Sequence, residues 1–165
     1  MKACVAALYA VLMVGTAFAA GWTQFANPRF GVTIDVPPGF VGEQSDYADG
    51  RVFHSADGDT KLWVWGNNVV DASFQADTLG RMQGEKEDGW VVSYESGNKT
   101  AGLTWHVYSG TKADRIVYVR SIESCKGTQA LHFRLEYPRA QKTDYDLVVE
   151  RLARSMKAGP AVDCP

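Results

Sequence analysis

The stretch Ala130–Met156, ALHFRLEYPRAQKTDYDLVVERLARSM, decides the fold class, because two periods meet in it. From Ala130 to Tyr137 apolar residues alternate with others, with His132 set between Leu131 and Phe133, the period-2 pattern of a half-buried strand. Pro138 offers no N–H to a ladder and ends the strand. Thr143-Asp144 then opens a helix whose Tyr145, Val148, Val149, Leu152 and Met156 share one face. Arg151, Arg154 and Lys157 gather near its C-terminal end, where the helix dipole favours cations, and Gly159-Pro160 stops it. A strand followed by an amphipathic helix is the closing unit of an α+β domain.

Working outward, strands are expected at Trp90–Glu95, Leu103–Ser109 and Arg115–Glu123. Short turns at Ser96-Gly97-Asn98-Lys99, Gly110-Thr111-Lys112 and Cys125-Lys126-Gly127 join them into an antiparallel meander. Further upstream, Phe74, Ala76, Leu79 and Met82 sketch a weakly amphipathic helix over Ser73–Glu87, with Ser73 as N-cap, Asp71 nearby and Asp77 in the early turns. Arg51–Ser55 and Lys61–Gly66 flank Ala56-Asp57-Gly58-Asp59, and Asp-Gly suits a hairpin turn needing positive φ. Residues 41–50 read as a polar loop. Val32, Ile34 and Val36 alternate with Thr33 and Asp35 as the first strand, halted by Pro37-Pro38-Gly39, and the aromatic arm Trp22–Arg29 precedes it with an Asn27-Pro28 turn. Strands and helices are segregated, so the expectation is a single α+β domain: an antiparallel sheet of about six to seven strands with helices packed on its apolar face.

The residues Phe25-Ala26-Asn27-Pro28-Arg29-Phe30-Gly31-Val32-Thr33-Ile34-Asp35-Val36-Pro37, followed by Gly39-Phe40, resemble the opening of PsbP-like (Mog/PsbP-fold) domains. The close is similar too: Phe133 to Pro138, then Asp144 to Met156 ending in Arg154-Ser155-Met156. The resemblance covers both ends of the domain and extends to uncharacterised exported proteobacterial proteins. It implies a three-layer αβα sandwich and an accessory role in binding other proteins, and it brings no catalytic residues.

Lys2 followed by an uncharged run from Ala3 to Phe18 and the small-x-small triplet Ala17-Phe18-Ala19 reads as a secretory signal peptide over residues 1–19. Cleavage is expected after Ala19 or Ala20, leaving residues 20–165 as the domain with no membrane span. Cys4 precedes the apolar run, which is the wrong side for a lipoprotein anchor. About 145 residues remain, enough for one real core. Removing Lys2 from the 17 basic residues leaves 16 against 19 acidic ones, a formal charge of −3, and no Lys/Arg run exists. A nucleic-acid partner is therefore not expected. Asn98-Lys99-Thr100 is a glycosylation sequon of the kind common by chance, and the bacterial periplasm is the expected compartment.

Cys125 and Cys164 remain after processing, and an even count in an exported chain invites a disulfide. A strand from 129 to 137 carries the chain roughly 30 Å away from Cys125. A helix over 143–156 brings it back roughly 21 Å, and the tail covers the rest.

Candidate sites fall in three groups. Asp46, Asp49, Asp57 and Asp59 supply oxygen ligands of the kind Ca²⁺ takes, but in no EF-hand frame. His54, His106 and His132, the only histidines, lie on three expected strands. Three imidazoles on one face suit Zn²⁺, yet no short spacing ties them together, and they read as isolated, partly exposed residues. Ser96-Gly97 and Ser109-Gly110 lack a nucleophile elbow, and no cofactor motif is present. Trp63 and Trp65 share one face of their strand while Leu62 and Val64 take the other. If the aliphatic face is core, the two indoles are a surface for a partner; otherwise a helix or the arm bearing Trp22 covers them. The function these observations favour is an exported, non-catalytic binding domain working by protein contact with an envelope protein through Trp63, Trp65 and Trp22. The alternative is a small-ligand or metal-binding periplasmic protein, or a weak hydrolase using the histidines and the Asp-rich loop.

Overall fold

The computed structural model describes residues 21–43, 48–70, 73–98, 102, 104–161 and 164. In chain order the elements are β1 (Thr23–Ala26), β2 (Val32–Val36), β3 (Val41–Gly42), β4 (Gly50–His54), β5 (Lys61–Asn68), α1 (Phe74–Glu87), β6 (Val91–Gly97), β7 (Trp105–Lys112), β8 (Arg115–Ser124), β9 (Gln129–Pro138), α2 (Lys142–Ser155) and β10 (Lys157–Ala158). Among the described residues, seven strands form one antiparallel sheet in the order β3-β4-β5-β9-β8-β7-β6, and β1-β2-β10 form a three-stranded sheet. The meander of β6 to β9 is as the short turns require. Closing it onto the β4–β5 hairpin takes a long-range pairing of β5 with β9, which sets Leu62 opposite Leu135, Val64 opposite Phe133, and Trp65 opposite His132.

Directly opposed residues share a face, so this register sorts the large sheet into two cores. On one face Leu62, Val64, Leu131, Phe133 and Leu135 are buried against Val32, Ile34 and Val36 of the small sheet and Leu152 and Met156 at the end of α2. Each such aliphatic side chain contributes roughly 1.5–3 kcal/mol by leaving water. Gly66 is where Phe30 crosses the sheet: a Cβ there would sit 2.3 Å from the Phe30 Cβ. On the opposite face Met82 of α1 packs with Trp90, Tyr108, Val117 and Val119. The helices thus cover both faces, not one apolar face, in the αβα arrangement that the resemblance implied.

Several departures from the sequence reading have local causes. The arm before Pro28 is the edge strand β1, because Phe25 pairs with Ile34 and stacks edge-on to Phe53 at 5.4 Å. Part of the expected 41–50 loop is strand: Val41–Gly42 pairs with Phe53 and His54. Past α2 the chain returns as β10 along β2, and Gly159 N–H donates to Gly31 O at 2.7 Å. That return delivers Cys164 to Cys125, and the two are disulfide-bonded with Cα atoms 5.5 Å apart. Ser73 caps α1 as expected, its hydroxyl accepting from Ala76 N–H at 3.1 Å.

Candidate functional site

The α1 side of the large sheet carries the polar chemistry. The opposed row Trp65–His132–Ser121–His106 crosses four strands, and the neighbouring row contains Trp63–Arg134–Val119–Tyr108. Helix α1 packs on this face against β9, and its Met82 reaches Tyr108 of β7 and Val117 and Val119 of β8.

His132 is sealed inside, at 0% exposure. Its Nδ1 lies 2.8 Å from Ser121 Oγ, and its Nε2 lies 2.8 Å from Asn67 Oδ1. The Asn67 amide nitrogen donates to Asp77 Oδ1 at 3.2 Å, so its oxygen is the acceptor, taking His132 Nε2–H and Arg81 Nη2–H at 3.0 Å. The imidazole is therefore the neutral Nε2–H tautomer, with Nδ1 accepting the Ser121 hydroxyl proton. Burial, and secondarily the Arg81 charge, hold its pKa well below the ordinary histidine value. Arg81 also forks onto Asp77 at 2.9 and 3.2 Å within α1, and the bonds of both residues to Asn67 of β5 tie the helix to the sheet. Trp65 stacks on the ring at 4.8 Å.

This corrects the expectation for the histidines. His106 and His132 are not partly exposed: they are 2% and 0% accessible, because α1 gives the second face a core of its own. The three imidazoles do share a sheet face, but the structure does not bring them together. His54 on β4 pairs with Glu43, His106 donates toward Glu95 at 3.1 Å, and His132 is enclosed by its own network. Ser121, His132 and Asp77 match a hydrolytic triad in composition, with His132 Nε2 3.7 Å from Asp77 Oδ2. Ser121 is only 1% exposed, so no carbonyl reaches its oxygen, and the cluster fastens a helix to a sheet. His106 also lines a cavity of about 370 Å³ with Gln75, Leu79 and Glu95, and its buried Nδ1 has no hydrogen-bond partner among the described residues.

The Asp-rich loop is likewise dispersed. Asp46 lies outside the described residues. Asp49 pairs with Arg29. Asp57 accepts the Ser55 hydroxyl and the Asp59 N–H, an Asx-type turn that lowers its pKa, with the Ser55 bond as the main cause. No group of three or more metal-ligating side chains occurs among the described residues.

The tryptophans are divided. Trp22 packs against the α2-side core beneath Arg151, whose guanidinium lies 4.2 Å from the ring centroid. Trp63 and Trp65 sit half-buried on the other face, beside a groove of about 470 Å³ lined also by Glu85, Asp88, Trp90, Lys112 and Arg134. The sequence reading missed Trp90 and Arg134. Arg134 lies 4.8 Å from the Trp63 centroid and 5.3 Å from that of Trp90, a cation between two indoles. Its Nε donates to Glu85 at 2.8 Å and its Nη1 to Glu136 at 2.7 Å. Burial opposes the charge of Glu136, but the hydrogen bonds and charges of Arg134 and Arg115 outweigh it and hold the carboxyl low. Strand alternation would have put Arg134 on the face of His132; its contact with Trp90 depends on the turn after α1, which no local pattern encodes.

No protein-family profile and no curated protein sequence matches the chain. Among solved structures it is similar to cyanobacterial PsbP (CyanoP) from Synechocystis, with a TM-score of 0.64 and 14% identity over 88% of this chain and 96% of that one. It is also similar to the Ran-binding protein Mog1p of Saccharomyces cerevisiae, with a TM-score of 0.62 and 10% identity over 88% of this chain and 99% of that one. The chain therefore has a PsbP/Mog1-like α+β fold, in agreement with the resemblance at its two ends.

Proposed function

We propose that this chain is an exported, non-catalytic binding domain that acts by contact with an envelope protein, and that the groove beside Trp63 and Trp65 is its working surface. The observation that carries this reading is the groove itself: two half-exposed indoles with Trp90 and Arg134, side chains of the types that dominate interface energetics, in a concavity flanked by charged groups. A similar fold in a Ran-binding protein supports a binding role, and the residue 1–19 pattern supports export to the periplasm. Trp22 belongs to the opposite face and is left out of this surface.

The test is capture from envelope extract of the native host, followed by titration with the purified captured protein. Trp63→Ala is the control, because Trp65 also supports the fold by stacking on His132. A stoichiometric partner whose affinity falls at least tenfold in a Trp63→Ala protein of near-native melting temperature fits the reading; undiminished affinity refutes it. The His106 cavity favours a second reading, a site for a small polar ligand or metal. Metal analysis of the purified chain separates the two, since stoichiometric Zn or Ca supports only the second.

A further inference from the structure

We infer that the groove runs on between α1 and the sheet into a pocket that takes an amide side chain, glutamine or asparagine, of the partner protein; this rests on the groove being the working surface. The groove shares Trp65, Glu85, Asp88 and Arg134 with a neighbouring cavity of about 320 Å³. The wall of that cavity also includes Arg81 and Gly84 of α1 and Tyr108 of β7.

The space is held open by a glycine. Gly84 follows Asp77 by seven residues, so it lies on the face of α1 that buries Asp77 and bonds it to Asn67 of β5. A Cβ at Gly84 would meet nothing within 4 Å, and the residue has no positive φ. Neither crowding nor backbone conformation asks for glycine there, and a helix interior disfavours it. What the missing side chain leaves is room in the cavity wall.

The wall also has polar groups to spare. Tyr108 is 2% accessible, and its hydroxyl makes no hydrogen bond among the described residues, yet it is not sealed from solvent. Burial, and after it the Glu85 charge, raise its pKa, so the group stays protonated and can donate. The exposed Asp88 carboxylate has no hydrogen-bond or ion-pair partner among the described residues; Lys112 Nζ reaches its backbone oxygen instead, at 2.6 Å. A free donor and a free acceptor thus line one cavity.

These groups, with the charge balance, define the occupant. Arg81 and Arg134 stand against Glu85 and Asp88, so a charged side chain loses hydration on entry and gains no net attraction. A purely apolar one would seal the Tyr108 hydroxyl without a partner, which is costly. A neutral amide meets both needs: its oxygen accepts from Tyr108, and its NH₂ donates to Asp88. A hydroxyl brings one polar atom where the amide brings two.

The experiment follows the Trp65 indole and Gly84 backbone N–H signals of the ¹⁵N-labelled mature chain during titration with the N-acetyl amides of glutamine, methionine, glutamate, lysine and serine. Expected are saturable shifts with the glutamine probe, at an affinity about 3- to 10-fold above each of the others, the yield of one added hydrogen bond. Tyr108→Phe should lower the glutamine affinity toward that of the methionine probe. Gly84→Leu should abolish the shifts and melt no lower than the parent, because leucine fills unused space and suits a helix. Any other probe binding as tightly as glutamine, or no shift with any probe, overturns the inference. So does a Tyr108→Phe chain of unchanged glutamine affinity, or a Gly84→Leu chain that still binds the probe or melts below the parent. Any of these results alongside partner capture that still depends on Trp63 leaves the binding function standing and removes only the pocket chemistry. Capture that is indifferent to Trp63 removes the function itself.

Discussion

Acidification should unfasten this protein in a window that one residue controls. His132 is neutral in the folded state because it is fully buried, with both ring nitrogens committed, Nδ1 as acceptor from Ser121 and Nε2–H as donor to Asn67, and with Arg81 close by. Protonation would make the Ser121 hydroxyl turn from donor to acceptor and would place a desolvated cation beside Arg81. Asp77 at 3.7 Å is the one anion paired with it among the described residues, and Arg81 already occupies it. The folded pKa thus lies well below the unfolded value of about 6.5, and the unfolded chain binds the extra proton. The His132 contribution is complete above about pH 6.5 and is lost as pH falls below it, the slope approaching about 1.4 kcal/mol per pH unit. Between pH 7.5 and pH 5 the loss can reach about 2 kcal/mol, the ceiling set by the unfolded value of about 6.5. Stopping at pH 5 keeps Glu136, whose carboxyl Arg134 and Arg115 hold low, out of the window. The assay is urea unfolding by tryptophan fluorescence across that range, on the mature chain and on His132→Gln. The variant starts less stable at pH 7.5, and its deficit should shrink toward pH 5, by as much as about 2 kcal/mol, since His54 and His106 are common to both proteins. A deficit independent of pH would refute the assignment of a buried neutral imidazole.

Two further outcomes follow from the packing. Replacing Cys125 and Cys164 by serine opens a loop spanning a sequence separation of 39 and should cost about 4 kcal/mol in the chain-entropy account, read as a lower urea midpoint. The unaltered mature chain should show no free thiol when denatured without reductant, and two thiols would deny the bond. Gly66→Ala should destabilise by about 1–3 kcal/mol, because its Cβ would meet the Phe30 side chain at 2.3 to 2.5 Å with strands on either side to hold it there. A melting temperature within about 1 °C of the parent would show that Phe30 is freer than this packing allows.

Sequence by itself determined the local grammar. Alternation fixed β2, β5 and β9, the 3.6 period fixed α2, Ser73 marked the start of α1, and Asp57-Gly58 placed the first hairpin, because each depends on residues a few positions apart. The Cys125–Cys164 pairing was also within reach, since the strand and helix rises together with the tail bring the chain back. What tertiary structure decided is everything that depends on which strands are neighbours. The alternation that put His132 opposite Leu131 was correct, but whether that second face meets water or a helix is not a property of the strand. Helix α1 has only a weak apolar stripe, and besides Met82 it is tied to the sheet by Asp77 and Arg81 to Asn67 and by Glu85 to Arg134, polar groups that read as surface in a linear sequence. The same long-range pairing of β5 with β9 set Arg134 beside Trp63, while Trp22 packs in the core on the far side. Strand order is chosen by the sum of contacts between segments distant along the chain, so no single stretch of sequence carries it.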